Sequence, residues 1–515
     1  MKTNAERPMA LLDEIIAGIG GVLGGRGDGC VNSVTCVTCD SREVVPGALF
    51  VAVRGFKTDG HRHIDGAIDA GAVAVVCEEY PSLCRSSVRY ILVRDARKAL
   101  ADASRIFFGN ASDQLMIIGV TGTNGKTTTS RLITSMLNAA GVPAGYIGTG
   151  LCRIGSRDIA LERTTPEASG LHGLFRQMLD AGCRAAVMEV SSHALVLDRV
   201  HGIRFRAGVF TNLTPEHLDF HESMEQYAEA KRMLFDQLTD DGFGVFNFDD
   251  PQAALMAGKL PADRVFCCSA GDEAGACEPD RRFVAEISGM TVEGSLAMVS
   301  FRGEKLPMKV SLPGAFNVMN MLEAFAVGIG LGIDPEAALR GLAGADAVDG
   351  RMERIWSPDR SRCAVVDYAH TPDALQKALE TLRDITPSGS NLVVVFGCGG
   401  NRDRQKRPEM GRIAVELADR VILTSDNPRD EDPESILNEI EAGMTGHDHL
   451  RIADRAEAIR QAVAGLEQGD ILLVAGKGHE QYQEVGGRKL HFSDRETLAA
   501  CLENRQSATE VKEQL

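Results

Sequence analysis

The sequence predicts an α/β protein of three domains, on three observations. Its 515 residues are too many for a single core, because domains usually hold about 100 to 200 residues. Short apolar runs typical of buried strands alternate with stretches that have apolar residues at helical spacing, which is the pattern of parallel sheets covered by helices. This pattern changes near residues 111 and 347, so we expect domains at 1–111, 112–347 and 348–515.

The composition narrows the class of protein. Apolar residues make up 44% and charged residues 25%, which is ordinary for a globular protein, and the net charge of −17 argues against binding to nucleic acid. No run approaches about 18 apolar residues, and Asp13 and Glu14 interrupt the stretch where a signal peptide would lie. The 13 cysteines are spread from Cys30 to Cys501 and predict reduced thiols rather than a disulfide framework. We therefore expect a cytoplasmic protein that does not insert into a membrane.

The first domain is predicted as a small α/β module and the second as a larger parallel sheet with helices. The strand candidates of the first domain are Leu49–Val53, Val73–Cys77 and Tyr90–Val93, separated by turns rich in glycine, proline and charge. Those of the second domain are Leu115–Val120, Ala185–Val190 and Ala207–Thr211.

A glycine-rich loop follows the strand candidate Leu115–Val120 and precedes a predicted helix. The loop consists of Gly122, Thr123, Asn124, Gly125, Lys126 and Thr127. In this context backbone N–H groups can hold phosphates, Lys126 can reach the β- and γ-phosphates, and the Thr127 hydroxyl can bind Mg²⁺. Val120 stands where the usual P-loop has its first glycine, and an ordinary glycine turn is the alternative. We expect a P-loop-like site for ATP or GTP.

Two further strand ends of the second domain carry groups that could hold a metal ion. Glu189 lies at the end of the strand candidate Ala185–Val190, and His217 follows the candidate Ala207–Thr211 closely. Taken singly, each residue is more often a hydrogen-bonded polar residue than a ligand. Together with a phosphate-binding loop, they predict a Mg²⁺ site.

Lys231 is the residue that bears most on mechanism. It lies on a helix predicted from about Met224 to Leu238, on the same face as the apolar residues Tyr227 and Leu234. A lysine on an apolar face loses hydration, which favours the neutral amine and makes reaction with carbon dioxide possible. The resulting carbamate would offer anionic oxygen to Mg²⁺. A lysine whose ammonium reaches water is the alternative.

The third domain repeats the alternation and is predicted as a Rossmann-like parallel sheet. Its strand candidates are Cys363–Asp367, Asn391–Phe396, Arg420–Ser425 and Asp470–Ala475. Ligands of such sheets bind beyond the carboxyl ends of the strands. The segment from Asp426 through Asn427 and Pro428 to Arg429 lies at one such end and suits an amino acid, because a guanidinium can bind a carboxylate with two hydrogen bonds. A plain turn is the alternative.

The order and spread of several motifs resemble those of the Mur ligases. The motifs are Gly-Thr-Asn-Gly-Lys-Thr at 122–127, Met-Glu-Val-Ser-Ser-His at 188–193, Tyr-Ala-Glu-Ala-Lys at 227–231, Gly-Ala-Phe-Asn at 314–317, Asp-Tyr-Ala-His-Thr-Pro at 367–372 and Gly-Lys-Gly-His-Glu at 476–480. The resemblance extends from about Asp40 to Arg495. It implies an ATP-dependent ligase that makes an amide bond between an acid and an amino acid, and Asp426 to Arg429 resembles the signature of the diaminopimelate-adding members.

The resemblance implies a role for each of four groups of residues. ATP would be held by Gly122, Thr123, Asn124, Gly125, Lys126, Thr127, Thr128, Asn317, Arg351, Asp367 and His370. Mg²⁺ would be held by Thr127, Glu189, His217 and carbamylated Lys231, and with Lys126 the last three would be catalytic. UDP-MurNAc-L-Ala-D-Glu would be held by Cys39, Ser41, Phe56, Lys57, Thr58, Thr164, Thr165, Ser191 and Arg199, with the UDP end in the first domain. Meso-diaminopimelate would be held by Arg402, Asp426, Asn427, Pro428, Arg429, Gly476 and Glu480.

The implied reaction passes through an acyl phosphate, which the amine of the amino acid then attacks. L-lysine in place of diaminopimelate is one alternative. A folylpolyglutamate synthetase-like ligase is a second, and a regulatory nucleotide-binding protein without turnover is a third. We expect a monomer whose partners are small molecules.

Overall fold

Three separate sheets organise the chain, in the order that the sequence predicts. The computed structural model describes residues 9–27, 29, 32–55, 58–271, 277–345 and 348–513. For residues 219 and 504–513 it describes the backbone alone. Sheets of five, eleven and six strands follow one another along the chain, each flanked by helices. This is the predicted α/β fold class with three parts. The boundaries at residues 111 and 347 stay predictions.

The first part contains a five-stranded sheet. The described residues of this part form seven strands, β1 (Ala10–Leu11), β2 (Val22–Arg26), β3 (Ser33–Val34), β4 (Cys36–Thr38), β5 (Ala48–Val51), β6 (Ala72–Cys77) and β7 (Arg89–Val93), and the helices α1 (Leu12–Gly18), α2 (Ile64–Asp69), α3 (Ala96–Phe107) and α4 (Ala111–Gln114). The sheet has the order β2–β7–β6–β5–β4 and is parallel except for β2, while β1 pairs with β3 outside it. All three strands predicted for this region are present.

The central part contains an eleven-stranded sheet. Its strands are β8 (Met116–Thr121), β9 (Ala144–Gly148), β10 (Leu151–Ile154), β11 (Arg157–Ala160), β12 (Ala185–Glu189), β13 (Phe205–Phe210), β14 (Leu238–Asn247), β15 (Val265–Ser269), β16 (Arg282–Thr291), β17 (Gly294–Phe301) and β18 (Glu304–Val310). Its helices are α5 (Lys126–Ala139), α6 (Ala168–Asp180), α7 (Ser192–Val196), α8 (Leu218–His221), α9 (Met224–Arg232), α10 (Ala253–Ala257), α11 (Ala315–Gly330) and α12 (Pro335–Ala343).

The centre of this sheet is parallel and its two ends are antiparallel. The order is β11–β10–β9–β12–β8–β13–β14–β15–β16–β17–β18, and the pairs from β9 to β16 are parallel. Strands β12, β8 and β13 are neighbours, so their carboxyl ends meet at one edge. The loop after β8, the end of β12 and the segment after β13 are therefore brought together.

The third part contains a six-stranded sheet and a separate hairpin. Its strands are β19 (Glu353–Trp356), β20 (Cys363–Asp367), β21 (Leu392–Phe396), β22 (Arg420–Leu423), β23 (Leu450–Arg451), β24 (Ile471–Ala475), β25 (Tyr482–Val485) and β26 (Arg488–His491), and its helices are α13 (Pro372–Ile385), α14 (Lys406–Leu417), α15 (Pro433–Glu441), α16 (Arg455–Ala464) and α17 (Asp494–Glu513). The order is β19–β20–β24–β21–β22–β23, with only β19 antiparallel, and β25 and β26 form the hairpin.

Two expectations from the sequence were wrong in detail. The helix predicted from Met224 to Leu238 ends at Arg232, because Leu238 begins β14 and pairs with Phe205 of β13. The cysteines are not all reduced, because Cys267 and Cys277 form a disulfide. No helix in the described ranges combines the length and the apolar character needed to cross a bilayer.

Candidate active site

The glycine-rich loop joins β8 to α5, as predicted. Gly125 has φ of +85° and directly precedes the first residue of α5, so the first N–H groups of that helix point toward the loop. Gly122 has φ of +148°, and a Cβ at this position would overlap Thr211 Oγ1. Both glycines are therefore required by backbone conformation or close packing. The Asn212 side chain accepts from Asn124 N at 2.9 Å and fixes the loop from the next strand.

Two lysines donate hydrogen bonds to this loop: Lys126, which belongs to the loop and is half-buried, and Lys231, which is buried. Lys126 Nζ donates to Gly122 O at 2.9 Å and to Thr123 O at 2.7 Å. Lys231 Nζ donates to Gly122 O at 2.7 Å and lies 4.3 Å from the centre of the Tyr227 ring. Burial lowers the pKa of Lys126, and burial together with the charge of Lys126 lowers the pKa of Lys231 well below its usual range.

The burial of Lys231 decides between two interpretations of its helical position. Its side chain is 1% exposed, so the ammonium does not reach water and the snorkelling alternative was wrong. Although Glu216 raises its pKa through charge, burial has the larger effect and favours the neutral amine. A neutral amine is the form that reacts with carbon dioxide.

Glu189 ends β12 beside the loop and is fully buried. Its Oε1 accepts from the Tyr146 hydroxyl at 2.6 Å and from Thr149 N at 3.1 Å, and its Oε2 accepts from Thr149 Oγ1 at 3.0 Å. These donors hold the carboxylate in one orientation at the end of the strand.

Four of the residues implied for the peptide substrate form one hydrogen-bonded cluster next to Glu189. Thr165 Oγ1 donates to Glu189 O at 2.9 Å and accepts from Ser191 N at 3.1 Å. Arg199 Nη1 donates to Thr165 O at 3.2 Å. Thr164 Oγ1 lies 3.1 Å from Thr149 Oγ1. The cluster therefore adjoins the carboxylate that was predicted to hold the metal.

Glu216 joins two histidines and was not predicted from the sequence. Its carboxylate lies 3.8 Å from His217 Nε2 and 3.5 Å from His370 Nε2. Burial raises the pKa of Glu216, but the hydrogen bond from His370 and the charges of His217, His370 and Lys126 outweigh burial and lower it. Its only signal in the sequence was its position directly before His217.

A cavity of about 130 Å³ adjoins the glycine-rich loop. Six residues implied for ATP line it: Asn124, Gly125, Thr128, Asn317, Arg351 and Asp367. Arg351 Nη2 donates to Thr127 Oγ1 at 3.3 Å, and Asn124 Nδ2 donates to Asp373 Oδ2 at 2.9 Å. The loop therefore contacts the third part of the chain directly. His370 does not line this cavity and lies instead in the larger one described below.

The segment from Asp426 to Arg429 follows β22 and is held by the β25–β26 hairpin. Arg429 has φ of +53°, a left-handed conformation, and its N–H donates to Glu484 O at 3.0 Å while its carbonyl accepts from Gly486 N at 2.7 Å. The guanidinium lies 3.3 Å from Glu484 Oε2, and its Nη1 donates to Gly400 O at 2.7 Å. Asn427 Nδ2 donates to Glu480 Oε2 at 2.8 Å. These contacts orient Arg429, which follows β22, and Glu480, which follows β24, at the same edge of the sheet.

Lys477 is a buried cation among these groups. Its side chain is fully buried, and its Nζ donates to Asn427 Oδ1 at 2.8 Å and lies 3.4 Å from Glu480 Oε2 and 3.8 Å from Asp426 Oδ1. The sequence contained it in the motif at 476–480 but indicated no role for it. The structure shows that it is the positive charge between the two carboxylates.

A cavity of about 1,910 Å³ joins the residues implied for the peptide substrate to those implied for the amino acid, whereas Lys126, Glu189 and Lys231 do not line it. On one side it is lined by Thr164, Thr165, Ser191 and Arg199, on the other by Arg402, Asp426, Asn427, Arg429, Gly476 and Glu480, and between them by His217 and His370. Pro428 does not line it. Cys39, Ser41 and Thr58 lie in the first part of the chain outside this cavity, and Phe56 and Lys57 lie outside the described residues.

The first part of the chain approaches this region near Glu167. The charge of Glu167, two residues after Thr165, raises the pKa of the Cys39 thiol, and with burial as the main cause that pKa rises to about 11. The predicted UDP end and the predicted peptide end of the substrate site thus approach each other near Glu167.

The groups predicted for Mg²⁺ suit a site that the substrates complete. Among the residues that the structure describes, no three His, Cys, Asp or Glu side chains are grouped to hold a metal ion. Glu189 offers hard carboxylate oxygen and Thr127 a hydroxyl, beside a loop built for phosphate. Mg²⁺ commonly binds through one or two carboxylates and substrate phosphates, so these residues fit it.

Three family models match the chain, each in one part. One described as "Mur ligase family, catalytic domain" matches residues 33–108, one described as "Mur ligase middle domain" matches 120–328, and one described as "Mur ligase, glutamate ligase domain" matches 350–478. Together they cover most of the chain.

Similar proteins match over nearly the whole length. A protein of Chlorobaculum tepidum named UDP-N-acetylmuramoyl-L-alanyl-D-glutamate--2,6-diaminopimelate ligase is 72% identical over 495 residues, which cover 96% of this chain and 97% of that protein. A protein of Bacillus licheniformis with the same name is 41% identical over 472 residues and covers 91% of this chain and 94% of its own.

Solved structures agree with these matches. A structure of a UDP-N-acetylmuramoyl-L-alanyl-D-glutamate--2,6-diaminopimelate ligase superimposes with a TM-score of 0.66 at 33% identity and covers 92% of this chain and 96% of its own. A folylpolyglutamate synthase of Mycobacterium tuberculosis, with ADP and AMPPCP, reaches a TM-score of 0.59 at 18% identity over 73% of this chain and 91% of its own, which shows a shared fold alone.

Proposed function

The chain belongs to the Mur ligase family, and on that premise we propose that it adds meso-diaminopimelate to UDP-MurNAc-L-Ala-D-Glu with hydrolysis of ATP to ADP and phosphate. It is an ATP-dependent ligase of acids and amino acids, and its relatives are named as ligases. One observation carries the choice of substrates: a single cavity is lined on one side by Thr165 and Arg199 and on the other by Arg429 and Glu480. The two groups to be joined can therefore meet in it.

The reaction follows from the reactivity of the two substrates. A carboxylate is a poor electrophile, so the D-glutamate oxygen first attacks the γ-phosphorus of ATP and ADP leaves. The acyl phosphate that results has a good leaving group. The amine then attacks the acyl carbon, phosphate leaves, and the amide of the UDP-linked tripeptide remains. Most of the acceleration comes from positioning and from stabilising charge on the transferred group.

Different residues of the chain would bind the phosphoryl group and the Mg²⁺ ion. Lys126 would approach the transferred phosphoryl group, because it is the lysine of the glycine-rich loop, and its Nζ now donates to two carbonyls of that loop. Thr127, Glu189, His217 and carbamylated Lys231 would hold Mg²⁺, which when bound offsets the charge of the phosphates. The neutral Lys231 amine that burial favours supports the carbamylation.

The amino-acid pocket favours a substrate with a distal carboxylate. Arg429 is a bidentate donor at the wall of the cavity, while Glu480 and Asp426 are suited to an ammonium group. L-lysine has no distal carboxylate and would leave Arg429 without this partner. We place the reaction in the cytoplasm, since it consumes ATP, and infer a monomer, since no residue from a second copy is needed to complete the cavity.

The test compares two amino acids. Phosphate release is measured with UDP-MurNAc-L-Ala-D-Glu, ATP and Mg²⁺, with meso-diaminopimelate in one reaction and L-lysine in another, and the product is identified by mass spectrometry. We expect release and a lengthened peptide with meso-diaminopimelate. Release with lysine alone would overturn the substrate, and no release with either would overturn the ligase assignment.

A further inference from the structure

Glu323 is a buried carboxyl in the wall of the cavity beside the glycine-rich loop. It lies on α11 and its side chain is fully buried. Its Oε2 lies 3.0 Å from Thr129 Oγ1, while its Oε1 has no hydrogen-bond partner. A buried polar atom without a partner is costly, so its presence at a cavity wall indicates a partner that the cavity supplies.

The direction of each neighbouring hydrogen bond can be assigned from one fixed end. Pro313 O can only accept, so Asn317 Nδ2 donates to it at 2.7 Å. Asn317 Oδ1 then accepts from Asn320 Nδ2 at 3.2 Å, which leaves Asn320 Oδ1 to accept from Thr129 Oγ1 at 3.2 Å. The single hydroxyl proton of Thr129 is used there.

This assignment determines what Glu323 presents to the cavity. When the Thr129 proton goes to Asn320 Oδ1, the 3.0 Å contact between Thr129 Oγ1 and Glu323 Oε2 is a hydrogen bond only if Oε2 carries a proton and donates it. Burial raises the pKa of Glu323 well above its usual range, in agreement with a neutral carboxyl. In the neutral carboxyl with its proton on Oε2, Oε1 is a carbonyl oxygen and can only accept.

Two amide side chains of the cavity, Asn212 and Asn247, already have partners at both ends. Asn212 accepts from Asn124 N at 2.9 Å and donates to Asn124 O at 3.2 Å. Asn247 donates to Thr211 O at 2.7 Å and accepts from the backbone N–H of Asp249 at 3.0 Å. Glu323 Oε1 differs from both, because it is a buried oxygen without a hydrogen-bond partner.

The cavity has the character of a site for a flat base. Its volume of about 130 Å³ is far above the roughly 10–15 Å³ that one water molecule needs. Phe316, Met319 and Met352 give it apolar walls, as base-binding pockets require. Adenine carries a hydrogen-bond donor at its 6-amino group, whereas guanine carries an acceptor oxygen at that position.

We propose that Glu323 Oε1 accepts a hydrogen bond from the 6-amino group of ATP and makes the site select adenine over guanine. The inference rests on the proposed function, which places ATP in this cavity. Glu323 is then a specificity residue that touches the nucleotide but takes no part in phosphoryl transfer.

The test combines a change in the nucleotide with a change in the protein. KM is measured by phosphate release with both other substrates saturating, for ATP and for purine riboside 5′-triphosphate, in which hydrogen replaces the 6-amino group. For the wild type we expect KM to rise about tenfold when the amino group is removed. For Glu323→Leu we expect the KM for ATP to rise about tenfold and the two nucleotides to become equivalent, with kcat little changed.

Two further variants separate recognition from folding. Glu323→Gln can donate from Nε2 to Thr129 and accept at Oε1, so it should keep the preference of the wild type for ATP over purine riboside triphosphate and GTP. Glu336→Leu removes an exposed carboxylate from α12 and serves as the matched control. If Glu323→Leu fails to fold, the KM values of the wild type for ATP and purine riboside triphosphate still test the hydrogen bond, and equal values would overturn it.

The possible failures are distinguishable. Equal KM values for ATP and purine riboside triphosphate in the wild type would overturn the role of Glu323 while leaving the ligase intact. Loss of the preference in Glu323→Gln would do the same. Absence of turnover with ATP in the wild type would instead overturn the proposed function.

Discussion

Glu216 Oε1 and His370 Nε2 lie 3.5 Å apart and connect the central sheet to the third part of the chain. Glu216 follows β13, whereas His370 follows β20 and donates from Nδ1 to Tyr368 O at 2.8 Å. The Tyr368 carbonyl orients the ring, so its other nitrogen faces the carboxylate. The pair thus fixes the relative position of two strand ends that contribute to one cavity.

Replacing Glu216 by glutamine should lower stability in a pH-dependent way. Because its folded-state pKa lies below the ordinary value of 4.5, the ionised carboxylate stabilises the fold above that pH, and this stabilisation is lost as the pH falls through the lowered pKa. We expect Glu216→Gln to melt several degrees below the wild type at pH 7 and the difference to shrink at pH 3. Calorimetry at both pH values measures it, and a difference that does not depend on pH would contradict the ionised pair.

Replacing Lys231 should abolish turnover rather than binding. The buried neutral amine is the proposed site of carbamylation, so Lys231→Ala should lose at least about a thousandfold in kcat. Added bicarbonate should raise the activity of the wild type and leave Lys231→Arg unchanged, since arginine forms no carbamate. Phosphate release measures both effects. An alanine variant with full activity would remove the metal-binding role.

Replacing Arg429 should weaken binding of the amino acid. Arg429→Ala removes the bidentate donor at the cavity wall, so the KM for meso-diaminopimelate should rise about ten- to a hundredfold while the KM for ATP stays the same. Arg412→Ala, which removes a half-exposed arginine on α14, is the matched control. An unchanged KM for the amino acid would place the distal carboxylate elsewhere.

Replacing Lys477 should affect both stability and the pocket. Lys477→Met fills a similar volume but leaves the carboxylates of Asp426 and Glu480 without their buried cation, which costs about 3 kcal/mol. We expect a lower melting temperature and a higher KM for the amino acid, whereas Lys259→Met at an exposed position should change neither. Thermal melting and initial rates measure the two effects. A variant as stable as the wild type would show that the carboxylates have another source of compensation.

Patterns local in the chain were sufficient for the fold class and for the position of the glycine-rich loop. Strands such as Cys363–Asp367 agree to the residue, because a short apolar run between turn residues needs no distant information. The loop from Gly122 to Thr127 was recognisable for the same reason, since a strand, a glycine turn and a helix follow one another directly.

Predictions from local patterns were wrong where contacts with residues distant in the sequence determine the structure. The apolar face of the helix containing Lys231 continues to Leu238, yet Leu238 leaves the helix because it pairs with Phe205. The pairing of Cys267 with Cys277 was also not predicted, because cysteine count and spacing do not determine which thiols meet.

The sequence by itself determined which residue types are present at the strand ends, and therefore that phosphate, carboxylate and amino-acid chemistry is possible. Only the tertiary structure decided that Glu216 lies between His217 and His370, that Lys477 lies between Asp426 and Glu480, and that Glu323 faces a cavity with a free acceptor. The physical reason is that burial and charge pairing depend on residues far apart in the chain, which meet only when sheets and helices pack.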